Sequence, residues 1–339
     1  MQVAIGQLKT SVSSILKNAG TPEDISTVVA DSLVKAEAMG VKTHGLIRLK
    51  SYLDSIKDGS LTPDARPEIS SHKGSVMNMD GKSGFGIYSA YVAANESMQI
   101  SRETGISTVG MKNLHHVGML EYITDMCATA GFVAIAMSNG HPAVSPPDGN
   151  TRMIGTNPLS ISIPSVDGNF NLDLAISKTS FGSVRKSVLE STKLDAGLAL
   201  DRNGNPTTDP LEAMNGSLVP FGGYKGFGLG LVIDLLAGLL TGSAAGTEVV
   251  TWNELGRKWN NGFLIITVNP EFFVQGGEFK SKVAAYFSKF RELAPKSSIP
   301  GQKRQAKFLA SMKDGIQLDE NQALILKELC KVYDLKFWE

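Results

Sequence analysis

The chain is poor in cysteine. Its 339 residues hold two, Cys127 and Cys330. That is too few for a disulfide framework or a cysteine-rich zinc cluster, and it fits a reducing, cytoplasmic compartment. Excess charge is also lacking: 33 Lys and Arg balance 33 Asp and Glu. Nothing electrostatic therefore argues for nucleic acid or an anionic membrane as a partner. The longest apolar run, Gly226 to Leu240, has Asp234 in its middle. It is too short to span a bilayer, and a buried helix is expected there. Met1 to Gly20 lacks a charged start followed by an unbroken apolar stretch, so no signal peptide is expected. The five histidines are scattered, without a spacing such as H-E-x-x-H, and no metal site is expected.

Nucleotide fingerprints are missing as well. No G-x-G-x-x-G follows a strand. Gly84-Phe85-Gly86 comes nearest, but Ser89 stands where the third glycine belongs. Gly81-Lys82-Ser83 ends like a P-loop, yet Val76 occupies the place of its opening glycine.

What is present suits a soluble globular chain of about two domains, with 42% hydrophobic and 19% charged residues. Leu8 to Ala19 reads as a helix closed by Gly20. Thr21-Pro22-Glu23-Asp24 reads as the start of a second, with Thr21 as N-cap. A third carries His44 and Arg48 and ends near Gly59. The grain then changes. Strands are expected at 75–80, 106–111, 133–137, 160–164 and 171–175, and helices at 88–104 and 121–129. Gly262 to Val268 is a further strand. Helices follow at 279–293 and 322–333, with a polar loop at 297–305 between them. The C-terminal helices are expected to return onto the N-terminal ones.

Chemistry concentrates in Thr43-His44-Gly45-Leu46-Ile47-Arg48. On one helix, about 100° per residue would leave His44 and Arg48 about 40° apart. Leu46, Leu49, Leu53 and Ile56 would gather on the opposite, core-facing side. An imidazole can move a proton near neutral pH, and a guanidinium can grip a carboxylate with two parallel hydrogen bonds. A solvated helix face is the plainer alternative. His115-His116-Val117-Gly118 holds a second pair of imidazoles, of which at most one can face a given site. Gly155-Thr156-Asn157-Pro158 is a turn before a strand, and Asp173-Leu174-Ala175 closes the next. Gly222-Gly223-Tyr224-Lys225-Gly226-Phe227-Gly228 opens the apolar run. It suits either an anion site, with Lys225 adding charge, or close helix packing.

These pieces, with Asn203-Gly204-Asn205-Pro206-Thr207-Thr208-Asp209-Pro210 between the last two, fall in an order that resembles the malate/L-lactate dehydrogenase family. Its members lack the Rossmann fold and include ureidoglycolate and sulfolactate dehydrogenases, diketogulonate reductase and piperideine-carboxylate reductase. The similarity runs from about residue 5 to 310. It implies an α/β fold: a non-Rossmann mixed-sheet nucleotide-binding domain at 73–249, and a mainly helical domain built from both chain ends, 1–72 and 250–339. It implies a homodimer using NAD or NADP to exchange hydride with a small 2-hydroxy or 2-oxo carboxylate. A cyclic-imine carboxylate reductase and a non-catalytic nucleotide-binding homologue are the alternatives.

By the same resemblance His44 is the acid/base group, Thr43 its support, and His116 a histidine beside the nicotinamide that can share the proton work. Arg48 would hold the substrate carboxylate, with Thr156, Phe181 and Gly182 at the substrate. His116, Val117, Gly118, Met119, Leu120, Asp173, Leu174, Ala175, Tyr224, Lys225, Pro300, Gly301 and Gln302 match cofactor-contacting segments. Thr43 stands where the family has serine, and Phe181-Gly182-Ser183 where it often has a larger polar residue. Arg185, Lys186, Lys303 and Arg304 are candidates for a 2′-phosphate.

Overall fold

The computed structural model describes residues 1–251 and 253–337. A short strand β1 (Gln2–Val3) leads into helices α1 (Ile5–Asn18), α2 (Glu23–Ala38) and α3 (Ile47–Lys57). Helix α1 buries Leu8, Val12, Ile15 and Leu16, spaced by four, three and one so that they share a face. Each such side chain contributes about 1.5–3 kcal/mol on burial. Gly20, at φ 90°, turns the chain after it. Thr21 does not cap α2 as expected. Pro22, extended at φ −56° and ψ 154°, takes the cap position itself, and the Thr21 hydroxyl is buried without a partner. Glu23 and Asp24 lie in the first turn, where the helix dipole favours them.

The middle of the chain supplies β2 (Glu68–Lys73), β3 (Val76–Asp80), α4 (Gly86–Thr104), β4 (Ile106–Leu114), α5 (Leu120–Thr129), β5 (Val133–Ser138), β6 (Leu159–Ile163) and β7 (Phe170–Leu174). Then come α6 (Phe181–Leu189), the short strands β8 (Ala199–Leu200) and β9 (Pro206–Thr207), α7 (Pro210–Asn215), β10 (Ser217–Leu218) and α8 (Tyr224–Ile233). The chain closes with β11 (Asn261–Val268), α9 (Glu278–Leu293), α10 (Gln302–Asp314), β12 (Ile316–Gln317) and α11 (Glu320–Val332).

Among the described residues the main sheet has seven strands in the order β2-β3-β4-β11-β5-β6-β7. Only β3 and β4 run parallel, joined across α4; every other neighbouring pair is antiparallel. A mixed sheet of this kind has no repeated βαβ unit, which accounts for the missing glycine fingerprint. Strand β11 follows the expected boundary at residue 250 yet belongs to the main sheet. Its Phe263 and Ile265 are fully buried, and it lies between β4 and β5 rather than with the helices. The two chain ends do meet: β1 pairs antiparallel with β12, α11 packs on α1, and α10 packs on α2.

The apolar run near residue 230 is not a buried helix. Helix α8 continues into a wider π-helical stretch, Asp234–Leu239. Its small side packs inward, where Gly230 abuts Ile154 and Ile176 and Gly238 abuts Ala244. Its large side chains, Leu231, Val232, Leu235, Leu239 and Leu240, are 41–66% exposed. No helix among the described residues is long and apolar enough to cross a membrane.

Candidate active site

His44 closes a 3-10 turn, Lys42–His44, and Gly45 separates it from α3. The single helix expected to carry His44 and Arg48 is therefore broken between them, and tertiary contacts bring the two together. A side chain at Gly45 would collide with the Glu37 carboxylate. That carboxylate accepts the Leu46 N–H at 3.1 Å and Gln322 Nε2 at 2.7 Å, so α2 and α11 both hold the turn. Arg48 Nε donates to the Thr43 carbonyl at 2.8 Å, which folds the guanidinium back over the turn. Thr43 Oγ1 lies 3.1 Å from His44 Nδ1. Leu46, Leu49 and Leu53 are buried as expected, and Ile56 packs against the same core.

The second imidazole arrives from the loop after β4. His116 stacks on His44 with ring centroids 5.5 Å apart. Tyr52 of α3 places its hydroxyl 2.9 Å from His116 Nδ1, and the Gly118 N–H donates to the same nitrogen at 3.3 Å. Both contacts suit an Nδ1 that accepts, the tautomer with the ring proton on Nε2. Gly118 reaches this geometry at φ 75°, a region that favours glycine. His115 points the other way. It stacks on Trp259 at 3.9 Å, and both its nitrogens are buried without partners.

Burial holds all these imidazoles neutral. Desolvation first, then the charges of Arg48 and Arg304, brings the His44 pKa down to about 3. Desolvation, Arg48 and the neighbouring imidazoles hold His116 well below the usual histidine range. Desolvation also lowers Arg48, and Arg185 adds to it. Among the described residues no carboxylate pairs with Arg48. Arg48 is half-buried with one carbonyl as its hydrogen-bond partner, which leaves guanidinium donors free for a substrate carboxylate.

Of the expected substrate residues, Gly182, with Phe181 before it, borders the His44 turn. Phe181 and Gly182 open α6, and Gly182 lies so close to the turn that a Cβ there would stand 3.0 Å from Thr43 Cγ2. Thr156 is half-buried, and its carbonyl accepts the Ile176 N–H at 2.9 Å. The next residue, Asn157, is fully buried at φ 34°; it bonds Gly140 N–H through Oδ1 and the Gly230 carbonyl through Nδ2. His141 and Arg152 were not anticipated. Arg152 stands over the Phe181 ring at 4.8 Å, and the His141 ring centroid lies 6.5 Å from that of Phe181. Five scattered histidines, two of them adjacent, offered no spacing by which His141 could be singled out.

The expected cofactor segments converge in part. Arg304 pairs with Glu121 and, at 3.6 Å, with Asp173, and it donates to the Asp173 carbonyl at 2.8 Å. Asp173 Oδ2 accepts the Glu121 N–H at 3.3 Å. This joins the 116–121 loop, the end of β7 and the start of α10. Val117, Met119 and Leu120 are buried in the core, so a ligand there would meet backbone. Leu174 and Ala175 are half-buried; Pro300 and Gln302 are exposed. Gly301, at φ 82°, sits where a Cβ would come within 2.7 Å of the Asn171 carbonyl. Tyr224 and Lys225 are exposed and make no hydrogen bond or ion pair with the His44 cluster among the described residues. The N–H groups of Lys225, Gly226 and Phe227 bond back to Gly222, Phe221 and Gly223, so the turn largely satisfies its own donors. Gly226 and Gly230 serve close packing.

The donor set fits a dinucleotide. Glu121 Oε1 is fully buried without a hydrogen-bond partner beside Arg304 and Asp173. Burial raises the Glu121 pKa to about 7. The left-handed pair Gly222–Gly223 leaves open space at Gly223, with the Lys225 cation beside it. Arg304, one of the residues considered for a 2′-phosphate, is already engaged by two carboxylates.

A mixed-sheet protein that gathers imidazoles around a guanidinium without a carboxylate partner is the class that this fold and site define. The sequence family described as malate/L-lactate dehydrogenase matches residues 3–327, and the chain belongs to that family. It is 32% identical to the malate/(S)-sulfolactate dehydrogenase of Methanothermus fervidus over 321 residues, 95% of each chain. Among solved structures, malate dehydrogenase from Entamoeba histolytica superposes with a TM-score of 0.95 at 26% identity, covering 99% of both chains. The delta1-piperideine-2-carboxylate reductase of Pseudomonas syringae pvar. tomato gives 0.89 at 27% identity, covering 97% of this chain and 99% of that one. Other relatives are named for NAD(+) or for NADP(+). By membership the chain is an NAD- or NADP-dependent oxidoreductase of hydroxy acids.

Proposed function

We propose that the pocket of His44, Arg48 and His116 exchanges hydride between the cofactor and C2 of a small, malate- or lactate-like 2-hydroxy or 2-oxo carboxylate. The observation that carries this is Arg48, a guanidinium without a carboxylate partner facing two stacked neutral imidazoles. The nicotinamide ring, when bound, supplies the hydride acceptor or donor. The protein supplies everything else. Arg48 grips the C1 carboxylate and fixes the substrate in near-attack geometry. His44, neutral in the free enzyme, takes the hydroxyl proton in the oxidising direction. In the reducing direction the arriving carboxylate offsets the charge of Arg48, raises the His44 pKa and allows His44 to carry the proton it donates. Thr43 orients the ring. His116 offers its Nε2–H to the substrate oxygen as negative charge develops. Thr156, Phe181 and Gly182 border the substrate.

Glu121, Asp173, Leu174, Ala175, Tyr224, Lys225 and the 300–302 turn would hold the dinucleotide with the 116–120 loop. The site would lie between the helices of the two chain ends and the sheet. A homodimer in the cytoplasm is the setting we favour, with a second copy covering the exposed face of Leu231, Val232, Leu235, Leu239 and Leu240; a patch of this kind is uncommon on a monomer.

A screen of 2-oxo acids against NADH and NADPH tests the reading. Saturable oxidation of either cofactor with at least one oxo acid is expected. Tight cofactor binding without turnover across the panel would instead identify a non-catalytic nucleotide-binding protein. The similarity to the piperideine-carboxylate reductase supports one further reading, reduction of a cyclic imine acid. Faster cofactor oxidation with an oxo acid plus amine than with the oxo acid alone would select it.

A further inference from the structure

Glu37 lies near the end of α2, is 3% exposed, and has no part in the steps assigned above. Helix α3 begins without a capping side chain of its own, so its first N–H groups need acceptors from elsewhere. Glu37 supplies one. Its Oε2 accepts the Leu46 N–H at 3.1 Å, and a carboxylate at that end of a helix meets the positive pole of the dipole. Leu46 is the second residue after His44. Between them Gly45 passes so close that a Cβ would collide with the same oxygen. The carboxylate therefore fixes where the chain leaves the His44 turn, the turn to which Arg48 Nε reaches back at 2.8 Å.

The other oxygen is held from the far end of the chain. Gln322 Nε2 donates to Glu37 Oε1 at 2.7 Å across 285 positions. Gln322 is itself fixed by the capping box of α11. Its Oε1 accepts the Asp319 N–H at 3.1 Å, and its own N–H donates to Asp319 Oδ1 at 2.9 Å. Asp319 also accepts from Lys42 Nζ, in the His44 turn, at 3.1 Å, although an exposed pair of this kind adds little. Both contacts to Glu37 come from N–H donors, and an ionised carboxylate satisfies both. Burial pushes the Glu37 pKa up; Gln322, the Leu46 N–H and Lys42 oppose that.

We propose that Glu37 is a positioning residue for the hydride-transfer reaction, setting the His44 imidazole through the Leu46 N–H, with the first turn of α11 locking it through Gln322. This rests on the hydride-transfer reading and deepens it. A side chain that moves no proton fixes the group that does, and a helix at the far end of the chain bears on proton transfer.

The test exchanges the two side chains. Glu37→Gln leaves an amide donor facing either the Leu46 N–H or the Gln322 amide. Gln322→Glu sets one carboxylate against another. Each single substitution should lower kcat for the best 2-oxo acid by about tenfold, the scale of a small misplacement of a reacting group, with the cofactor dissociation constant unchanged. The double substitution restores the pair with donor and acceptor reversed, and glutamate suits that position of a capping box. It should recover kcat to within about threefold of the wild type. A purely structural role would lower Tm and leave the kcat of the folded protein alone. Unchanged kcat in both single variants, or a double variant no better than they are, overturns the proposal. Should Glu37→Gln not fold, Gln322→Ala decides, at a half-buried position. Its kcat should fall by about threefold, the scale of one hydrogen bond, and an unchanged kcat overturns the proposal. One readout does not need turnover. The imidazole proton NMR signals of His44, identified by their loss in His44→Ala, should shift in each single variant and return in the double. Signals that stay fixed overturn the proposal. A wild type that turns over no 2-oxo acid is a different result, because it sinks the hydride-transfer reading while the NMR shifts still report whether Glu37 sets the turn.

Discussion

The His44 and His116 imidazoles lie face to face, with centroids 5.5 Å apart and planes 22° from parallel. Their supports differ. Thr43, a chain neighbour, holds His44, whereas Tyr52 and the Gly118 N–H hold His116. Removing the Tyr52 hydroxyl should loosen His116 while leaving the carboxylate grip intact. Tyr52→Phe is expected to lower kcat by about fivefold, the equivalent of one hydrogen bond of roughly 1 kcal/mol, with little change in KM. Steady-state kinetics checks this, and an unchanged kcat would remove Tyr52 from the account.

Arg48 has no protein carboxylate to lose, so its replacement should act on substrate binding. Arg48→Ala should raise KM for a 2-oxo acid by about 30-fold or more, the scale of a lost charge-assisted pair. The cofactor dissociation constant should stay nearly unchanged. Arg48→Lys should recover only part of the loss, since an ammonium cannot form the parallel pair of bonds. Substrate titrations alongside cofactor fluorescence separate the two effects.

Much of this was legible in the sequence, and the remainder was hidden for physical reasons. The apolar spacing of Leu8, Val12, Ile15 and Leu16 announced α1, and the β-rich run at 262–268 announced β11. Strand β2 shows no alternation because it is a sheet edge with every residue exposed. Helix α10 looked like part of a polar loop because none of its residues is buried. Gly45 hid the break between His44 and α3, since glycine is compatible with a helix, and only the nearby Glu37 carboxylate requires it there. Glu121 looked like an ordinary acid at a helix start. Its tie to Arg304, 183 positions away, is visible only in the fold.

Stability should fall on acidification. His115 has a folded pKa of about 3, set by desolvation and then by Arg48, against roughly 6.5 when unfolded. Between those values the unfolded chain binds more protons, so stability is fully present above about pH 6.5 and is lost as pH falls toward 3. His115→Phe keeps a ring against Trp259 and removes the titration. Its stability should depend less on pH between 6 and 4, by about 1 kcal/mol per pH unit. Urea unfolding at several pH values measures this, and identical slopes would contradict it.

The exposed side of α8 and its π-helical extension should be an interface between two copies. Leu235 is 52% exposed, and Leu235→Glu would place a charge in the middle of that face. Light scattering after size exclusion should find a dimer for the wild type and a monomer for the variant. A monomeric wild type would refute the dimer.

The proton role of His44 is the most direct test of the whole account. His44→Ala, purified and shown to bind cofactor, should lose about 10²-fold or more in turnover of its best 2-oxo acid. Near-normal turnover in that protein would contradict the assignment and move the proton transfer to His116.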